Sequence, residues 1–545
     1  MRSTTGIDHF QSAGESILVG NWRLLALCSL ASLVLLWGLG RGSLNNYDEG
    51  MYGQIAKEII AGGDWLTMHY EYKPWFEKSP LLMWSTAVFY GLFGVNEFWS
   101  RAASAFSGIG IVIVTYLIGK LIYDPQVGFF AGLVLLSNSY FVTSARLGMT
   151  DSMLTFFCFL SFYGYLRMEK GDYRWWYLIW TSCALAVMVK SAAGLIAPLV
   201  ITLALSLDGR LTATWRSKHF WQGLALAIVI IAPWHIMMLI RHGRSFVANY
   251  IGYHVIARST GLLEGHIGDR FYYIDRLHEL FSPWFYLLPF SIALSIKEIL
   301  KGQLRSRILL LVTILVFGLF TLVPTKIEWY ILPICPALSI FVASMAVKAM
   351  RSHESISFSG LVMATFIVAL LTPLYIKLAF AVAMLLVFGC IATRRLTHQA
   401  IGVVIFALFV VVGMHTFRSL YTQGESSRAK LARIAASTDP SDRQALIVFS
   451  PGDMIPPPRL WRPVTLFYSN RPMREPRTVP VLAFYSNRPT REARTLEDLE
   501  EFTNDQQTKR VMVAKRNVDL LLNDYEIKIL AEEGPLVYGL IKHRG

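Results

Sequence analysis

The stretch from Gly42 to Pro80, GSLNNYDEGMYGQIAKEIIAGGDWLTMHYEYKPWFEKSP, is polar, acidic and aromatic, although it lies between long apolar segments. One apolar run, residues 24–39, precedes it, and a long series of others follows. This arrangement predicts a loop on one membrane surface, anchored at both ends by helices that cross the bilayer. Because loops on a rigid scaffold often carry the chemistry of a protein, we expect functional residues here.

Apolar side chains within this loop recur at helical spacing, at Met51, Tyr52, Ile55, Ala56, Ile59 and Ile60. The pattern predicts an amphipathic helix that lies along the bilayer surface. Asp48 precedes the pattern as an N-cap would, and Gly62-Gly63 ends it. The acids Asp48 and Glu49 are therefore equally well explained as helix caps or as functional groups.

The composition is that of a polytopic membrane protein. Of 545 residues, 54% are hydrophobic and only 16% are charged, which excludes an ordinary soluble enzyme. A net charge of +14 is explained by cytoplasmic loops that face anionic lipid, so we expect the lipid bilayer and no nucleic acid as a partner. All five cysteines lie in apolar runs, which predicts neither a disulfide framework nor a CxxC metal site.

The apolar runs up to residue 417 predict about thirteen transmembrane helices, with large loops at 41–99 and 241–280. A shorter run at 79–95 fits a surface or re-entrant helix. Lysine and arginine cluster in alternate short loops, and the positive-inside rule places those loops in the cytoplasm. Both large loops and the C-terminal part then lie on the outer side of the membrane.

From residue 418 to 545 the composition becomes that of a soluble domain. Apolar strand-like runs at 445–449, 464–468, 511–514 and 536–541 alternate with helix-like stretches at 495–503 and 518–524. This alternation predicts a small α/β domain. The hexapeptide FYSNRP occurs twice, beginning at Phe467 and at Phe484, and we have no physical account of this repeat.

Ionisable residues of both signs gather at the predicted outer ends of the apolar runs, where a charge is costly unless it is paired or functional. Each has a structural explanation on its own, as a cap or as an interface anchor. Together they predict a pocket at one membrane surface whose cations suit a phosphate. The charged members are Asp48, Glu49, Glu77, Lys78, Arg146, Asp151, Lys190, His254, Arg258 and Lys326, with Tyr52 and Tyr330 beside them.

Several motifs, in order along the chain, carry a resemblance to a known family. They are DEGMY at 48–52, GDW at 63–65, FEKSP at 76–80, TDSML at 150–154, MVKSAAG at 188–194, the Tyr253-His254 loop, and TKIEWYILP at 325–333. The set resembles the bacterial lipid A 4-amino-4-deoxy-L-arabinose transferases. More broadly it resembles the polyprenyl-phosphate-sugar glycosyltransferases of the GT-C fold, which include protein O-mannosyltransferases. The resemblance covers about residues 20–420.

The resemblance implies a GT-C glycosyltransferase that moves a sugar from undecaprenyl phosphate to a membrane acceptor such as lipid A, with inversion at the anomeric carbon. Asp48 matches the family's essential first-loop acid, and Glu77-Lys78 matches its FEK motif. Asp151, Lys190 and the His254/Arg258 pair match further motif positions. The sequence departs from the pattern at Ser79, which separates Lys78 from Pro80, and at Tyr253 and Ser259.

The chemistry assigns roles to these residues. Lys78, Lys190 and Arg258 can neutralise the departing phosphate. If the acceptor is a phosphate, Asp48 and Asp151 bind the amine of the sugar or orient the acceptor. If it is a hydroxyl, one acid must take its proton, and Asp48 is favoured. We therefore expect Asp48, Asp151 and Lys78 to be catalytic and the other grouped residues to bind substrate.

No cofactor is required by this chemistry, although Glu77 and His254 have ligand types that suit a divalent ion such as zinc. Two alternatives stay open. A protein O-mannosyltransferase-like enzyme would share the fold and use a hydroxyl acceptor. A transporter or lipid flippase would place charges near span midpoints and repeat its halves, whereas the charges here gather at one face.

Overall fold

The computed structural model describes residues 7–45, 48–168, 171–257, 268–351, 406–411, 434, 446–449, 490–493, 499, 509–515, 518–522, 524–533 and 536–544. The chain divides into two compact units. The larger comprises Met1–Leu39, Glu77–Leu81 and Ala102–Tyr421, and is called here the helical unit. The other comprises Gly40–Phe76, Leu82–Arg101 and Thr422–Gly545. The boundary predicted between 417 and 418 lies outside the described residues.

Helices dominate the chain up to residue 351. They are α1 (Ile7–Leu36), α2 (Asp48–Gly62), α3 (Leu81–Phe93), α4 (Glu97–Ile122), α5 (Pro125–Leu136), α6 (Ser139–Arg146), α7 (Thr150–Met168), α8 (Trp175–Lys190), α9 (Ile196–Leu207), α10 (Leu211–Arg216), α11 (Lys218–Phe246), α12 (Tyr272–Leu280), α13 (Leu288–Leu300), α14 (Arg307–Leu322) and α15 (Cys335–Arg351). A π-helix, Val247–Ala257, continues α11. Short 3-10 turns lie at Ser191–Leu195, Trp284–Leu287, Leu304–Ser306 and Glu328–Ile334.

Within the described residues, five helical stretches are long and apolar enough to cross a membrane, or up to seven if each of two bent pairs is one span. The bent pairs are α5 with α6, at 70°, and α12 with the helix Trp284–Leu300, at 113°. Helices α8 and α9 form one apolar stretch, Trp175–Leu207, interrupted by a 3-10 turn. Most of the chain between 352 and 417 lies outside the described residues, so the total of thirteen stays a prediction.

The helix predicted in the first loop is confirmed as α2, whereas its position along the bilayer surface stays a prediction. Tyr52, Ile55, Ala56 and Ile59 form its buried face, whereas Ile60 is exposed. The helix ends where the glycine pair predicts, because Gly63 adopts a φ of 71° and its N–H donates to the Ile59 carbonyl at 2.9 Å. A left-handed residue after the last turn is the usual glycine stop signal.

A two-stranded hairpin follows α2, and one carboxylate of α2 accepts hydrogen bonds from the turn of the hairpin. Strands β1 (His69–Tyr70) and β2 (Lys73–Pro74) pair antiparallel, and both turn residues, Glu71 and Tyr72, have positive φ. The Glu58 carboxylate of α2 accepts the N–H groups of these two residues at 3.0 and 2.9 Å. Burial raises the pKa of Glu58, and the hydrogen bonds oppose that shift.

The C-terminal residues contain a five-stranded sheet in the order β4-β3-β5-β7-β6. Its strands are β3 (Leu446–Phe449), β4 (Thr490–Ala493), β5 (Lys509–Ala514), β6 (Tyr525–Glu533) and β7 (Leu536–His543). Strand β3 pairs parallel with β4 and β5, and β7 pairs antiparallel with β5 and β6. A short helix, α16 (Val518–Leu521), lies between β5 and β6, and Leu521 joins the apolar core of the sheet.

Candidate active site

A buried ion pair joins the start of α7 to the end of α8. The Lys190 ammonium lies 2.6 Å from Asp151 Oδ1, and the two side chains are 13% and 5% exposed. The two helices pack against each other. Each charge also complements its helix, because an acid is favoured at a helix N-terminus and a cation at a C-terminus.

The second oxygen of the same carboxylate points to a ligand. Asp151 Oδ2 is buried and has no hydrogen-bond partner among the described residues. Buried carboxylate oxygens in native proteins nearly always accept a hydrogen bond. Asp151 is therefore able to hold Lys190 with one oxygen and to receive an N–H or O–H donor of a bound molecule with the other.

An aromatic ring lies over the Lys190 ammonium. Lys190 Nζ is 5.3 Å from the centroid of the Tyr330 ring, within the range of a cation–π interaction. The 3-10 turn that carries Tyr330 is held by the Tyr140 hydroxyl, which donates to the Glu328 carbonyl at 2.6 Å. Asp151, Lys190 and Tyr330, grouped on sequence grounds, are thus neighbours in the helical unit.

The FEKSP segment places Glu77 and Lys78 in the same unit. Lys78 is buried, and a carboxylate oxygen of Glu77 lies 3.8 Å from His254 Nε2, on the π-helix. Glu77 and His254, which the sequence offered only as residues of suitable ligand type, therefore lie next to each other. Arg258 lies outside the described residues.

Sequence patterns assigned Ser79 no functional role, although its hydroxyl contacts several protein groups in the structure. It lies 2.8 Å from the Val187 carbonyl and 2.6 Å from the Tyr250 hydroxyl. Tyr250 in turn lies 3.0 Å from His235 Nε2. The available signal was the departure of FEKSP from the family pattern at this serine, because an uncharged residue gives no electrostatic sign of its own.

In the first loop, Asp48 and Tyr52 form a local pair. The Tyr52 hydroxyl donates to Asp48 Oδ2 at 3.2 Å, across one turn of α2. Tyr52 is buried, and its ring packs edge-on against Trp75. The carboxylate of Asp48 remains half-buried in the first turn of the helix, so both predicted residues present polar atoms on the same helical face.

Glu49 was predicted to bind substrate, but its carboxylate is already engaged by protein groups. Arg101 Nε donates to Oε1 at 2.8 Å, and the Asn45 N–H donates to Oε2 at 2.7 Å. The same guanidinium donates to the carbonyls of Arg41 and Ser43. The geometry therefore favours a role for Glu49 in holding the start of the loop in place.

This contact network yields a stability prediction. Arg101→Met is expected to lower the free energy of unfolding by about 3–5 kcal/mol, because it leaves Glu49 as an uncompensated buried charge. Thermal unfolding in detergent measures the loss. Arg174→Met is the matched control, since Arg174 pairs with Asp172 on an exposed surface and should produce no measurable change. Equal melting temperatures for the two variants would contradict the assignment.

Arg146 and Lys326 were also predicted to bind substrate, and both cap helices. Arg146 is buried at the end of α6, and its guanidinium donates to the carbonyls of Val34, Leu35 and Trp37 at the end of α1. The Lys326 ammonium donates to the carbonyls of Phe320 and Thr321 at the end of α14. Burial lowers the pKa of Lys326. Cations favour helix C-termini, so these contacts explain both residues structurally.

Comparison with known sequences gives a consistent set of relatives. The profile of the dolichyl-phosphate-mannose-protein mannosyltransferase family matches residues 25–244. A Pseudomonas fluorescens protein, undecaprenyl phosphate-alpha-4-amino-4-deoxy-L-arabinose arabinosyl transferase 1, is 26% identical over 355 residues, 62% of each chain. The enzyme of that name from Pseudomonas savastanoi is 26% identical over 357 residues, 64% of this chain and 66% of its own. The chain thus matches less than two thirds of the length of either relative.

Solved structures share the fold. ArnT from Cupriavidus metallidurans bound to undecaprenyl phosphate superposes with a TM-score of 0.69 at 20% identity, covering 95% of this chain and 98% of that one. The oligosaccharyltransferase AglB from Archaeoglobus fulgidus, in complex with an inhibitory peptide and a dolichol-phosphate, gives 0.53 at 12% identity over 92% and 70% of the two chains. At such identities the likeness concerns architecture alone.

Proposed function

We propose that the chain is a membrane glycosyltransferase of the GT-C type, as its similarity to mannosyltransferases and arabinosyl transferases supports, and that it transfers a sugar from undecaprenyl phosphate to a membrane acceptor. The proposed sugar is 4-amino-4-deoxy-L-arabinose and the proposed acceptor is a phosphate of lipid A. The observation that carries the proposal is the buried Asp151–Lys190 pair with its open carboxylate oxygen. The similarity to glycosyltransferases favours this proposal over a transporter or a lipid flippase.

The proposed reaction is an inverting displacement at the anomeric carbon. The acceptor oxygen forms a bond to that carbon from one side, while the bond to the phosphate oxygen of the donor breaks on the other. The electron pair of the broken bond leaves with undecaprenyl phosphate. Lys78, which is buried, and Lys190, which is largely buried, stabilise this leaving group electrostatically, and their effect is large where water is excluded.

The two acids have complementary proposed tasks. Asp151 orients Lys190 with Oδ1 and receives the sugar's ammonium or a hydroxyl on Oδ2. Asp48, supported by Tyr52, binds the sugar amine or orients the acceptor. A lipid A phosphate is already anionic at neutral pH, so this route needs no general base. Tyr330 covers Lys190 and limits its hydration.

The same similarity supports the proposed architecture and location. We propose about thirteen transmembrane helices in residues 1–417, with the loops 41–99 and 241–280 in the periplasm. Residues 418–545 form the proposed periplasmic α/β domain, for which the five-stranded sheet offers support. The enzyme then lies in the bacterial inner membrane with its chemistry on the periplasmic side.

A hydroxyl acceptor is the second candidate, favoured by the mannosyltransferase profile that matches residues 25–244. That reaction releases a proton from the acceptor oxygen as the new bond forms. Asp48 would then act as the general base. A carboxylate in this role must lie within hydrogen-bond reach of the acceptor hydroxyl. The two candidates differ in whether the acceptor needs that base.

The described residues do not by themselves fit a zinc centre. Glu77 and His254 offer two ligands, and no group of three or more His, Cys, Asp or Glu residues with metal-binding geometry occurs in the described part of the chain. Catalytic zinc is usually held by three protein ligands. We therefore assign no step of the reaction to a metal.

Metal removal tests that assignment. Transfer by the purified enzyme is expected to be unchanged after dialysis against EDTA, because Lys78 and Lys190 supply the positive charge at the phosphate. Initial rates before and after chelation measure the effect. A loss of activity that added Zn²⁺ restores would show that Glu77 and His254 recruit an ion with further ligands.

The proposed function is tested by incubating the purified protein with undecaprenyl phosphate-aminoarabinose and either lipid A or a serine-containing peptide. Mass spectrometry should detect one added aminoarabinose on lipid A and none on the peptide. Modification of the peptide would favour the hydroxyl-acceptor candidate. Failure to modify either acceptor, with the donor intact, would overturn the proposed sugar and call for donors with other sugars.

A further inference from the structure

A buried hydroxyl beside the proposed donor site has no part in the mechanism above. Ser79 is 0% exposed. Its Oγ donates to the Val187 carbonyl at 2.8 Å and accepts the Ser191 N–H at 3.2 Å, while the Tyr250 hydroxyl lies 2.6 Å away. A serine hydroxyl has one donor hydrogen and two lone pairs, so these contacts use its full capacity.

The three contacts of Ser79 connect its own segment to two others that carry proposed site residues. Ser79 directly follows Lys78, and its partners Val187 and Ser191 flank Lys190 at the end of α8. Tyr250 lies on the π-helix four residues before His254. One hydroxyl therefore connects the segments that bear Lys78, Lys190 and His254.

The backbone at the end of α8 has an unusual conformation that the Ser79 hydroxyl helps to hold. Ser191 has a φ of 38°, a left-handed conformation that residues with a side chain rarely adopt. Its N–H is shared between the Val187 carbonyl and Ser79 Oγ. The following turn lies close to the helix, because a Cβ added at Gly194 would collide with the Val187 nitrogen. Ser79 thus stabilises an unfavourable backbone conformation directly after Lys190.

Tyr250 is itself firmly placed, so it can anchor Ser79. Its ring stacks on Phe246 with centroids 4.9 Å apart, and its hydroxyl lies 3.0 Å from His235 Nε2. His235 Nδ1 lies 2.9 Å from the Ile231 carbonyl of the same helix. The network therefore continues from the FEKSP segment into the transmembrane helix α11.

We infer that Ser79 is a positioning residue that sets the Lys78 and Lys190 ammonium groups at the spacing required by the donor phosphate. This inference rests on the proposed function, since it assigns those two cations to that phosphate. Small displacements of groups that bind a reacting centre carry large costs. The serine also explains the departure from the family motif, because a proline at this position would have no hydroxyl to contact the end of α8 and the π-helix.

Two variants and one control test the inference in the full-length protein in nanodiscs. Ser79→Ala removes the central hydroxyl, and Tyr250→Phe removes one of its partners while keeping the stacked ring. Tyr165→Phe is the control, because the buried Tyr165 hydroxyl donates to Asp208 at 2.9 Å, in the turn that follows α9. The measurements are the Kd of undecaprenyl phosphate, the KM of the donor, kcat and the melting temperature.

Ser79→Ala and Tyr250→Phe are each expected to raise the Kd and the KM about tenfold, whereas the double variant loses no more than the worse single variant, because the residues act as one network. Tyr165→Phe should leave Kd and KM unchanged. A lower melting temperature with unchanged Kd and KM in Ser79→Ala would overturn the inference and leave Ser79 a purely structural residue. Absence of undecaprenyl phosphate binding by the wild-type protein would instead overturn the proposed function.

Discussion

Lys190→Met is expected to reduce sugar transfer by about 100- to 1,000-fold, the range found when one preorganised charge donor is removed from an active site. Lys190 is one of the two buried cations assigned to the departing phosphate, and its ammonium is held between Asp151 and the Tyr330 ring. A methionine keeps much of the side-chain volume and removes the charge. The rate of aminoarabinose transfer to lipid A measures the loss.

Loss of activity alone would not separate catalysis from folding, because Lys190→Met also leaves Asp151 as an uncompensated buried acid. Such a charge costs about 3–5 kcal/mol of stability. The double variant Asp151→Asn/Lys190→Met removes both charges and should recover most of the melting temperature. Because Asp151 is itself assigned to the sugar, the double variant is compared with Asp151→Asn alone. If Lys190 acts on the phosphate, the double variant transfers sugar more slowly than that single variant.

Lys326→Met supplies a comparison with another buried cation. Its ammonium caps the end of α14 through two carbonyls, so its removal should lower stability and leave the donor KM of the folded enzyme close to the wild-type value.

Recovery of transfer by the double variant Asp151→Asn/Lys190→Met would show that the Asp151–Lys190 pair is a structural salt bridge and would move the phosphate site elsewhere.

Periodicity and charge predicted the parts of the molecule in which a local pattern determines the structure. Helix α2 follows from its spacing of apolar residues and its terminal glycines. The grouping of Asp151, Lys190 and Tyr330 follows from a second rule, that charges at the ends of apolar helices are costly unless they meet a partner. Neighbouring residues carry enough information for α2, whereas Asp151 and Lys190 are 39 positions apart and were grouped only by their place at the ends of apolar runs.

The sequence could not show which residues from distant segments contact each other in the folded chain. Glu49 and Arg101 are 52 positions apart, and no spacing rule pairs them. Arg146 has the appearance of a substrate cation until the carbonyls of α1 are seen to satisfy it. Ser79 depends on Val187 and Tyr250, which only the folded chain brings to it.

The strands of the C-terminal sheet show a related limit. The interior strands β3, β5 and β7 were predicted because they are apolar. Strands β4 and β6 were not, and both lie at the edges of the sheet. Edge strands often carry charged residues, because one edge of the strand has no neighbouring strand to pair with. The sequence TREA of β4 therefore lacks the apolar pattern from which a strand is predicted.

Asp48→Ala is expected to abolish transfer while the protein expresses and folds normally. The carboxylate is half-buried in the first turn of α2 and accepts the Tyr52 hydroxyl, so its removal leaves no buried charge without a partner. Mass spectrometry of lipid A after incubation with donor measures transfer, and the melting temperature reports on folding. Asp64→Ala is the matched control, because Asp64 lies in the same loop and its carboxylate accepts the N–H groups of Leu66 and Thr67.

Asp48→Asn then distinguishes the two candidate acceptors, because an amide can donate and accept hydrogen bonds but cannot take a proton. If the acceptor is a phosphate, Asp48 serves in binding and the KM for the amino sugar donor should rise more than kcat falls. If the acceptor is a hydroxyl, loss of the base should lower kcat by about 100- to 10,000-fold. Normal turnover by both Asp48 variants would remove this residue from the mechanism and leave Asp151 as the acid on which transfer depends.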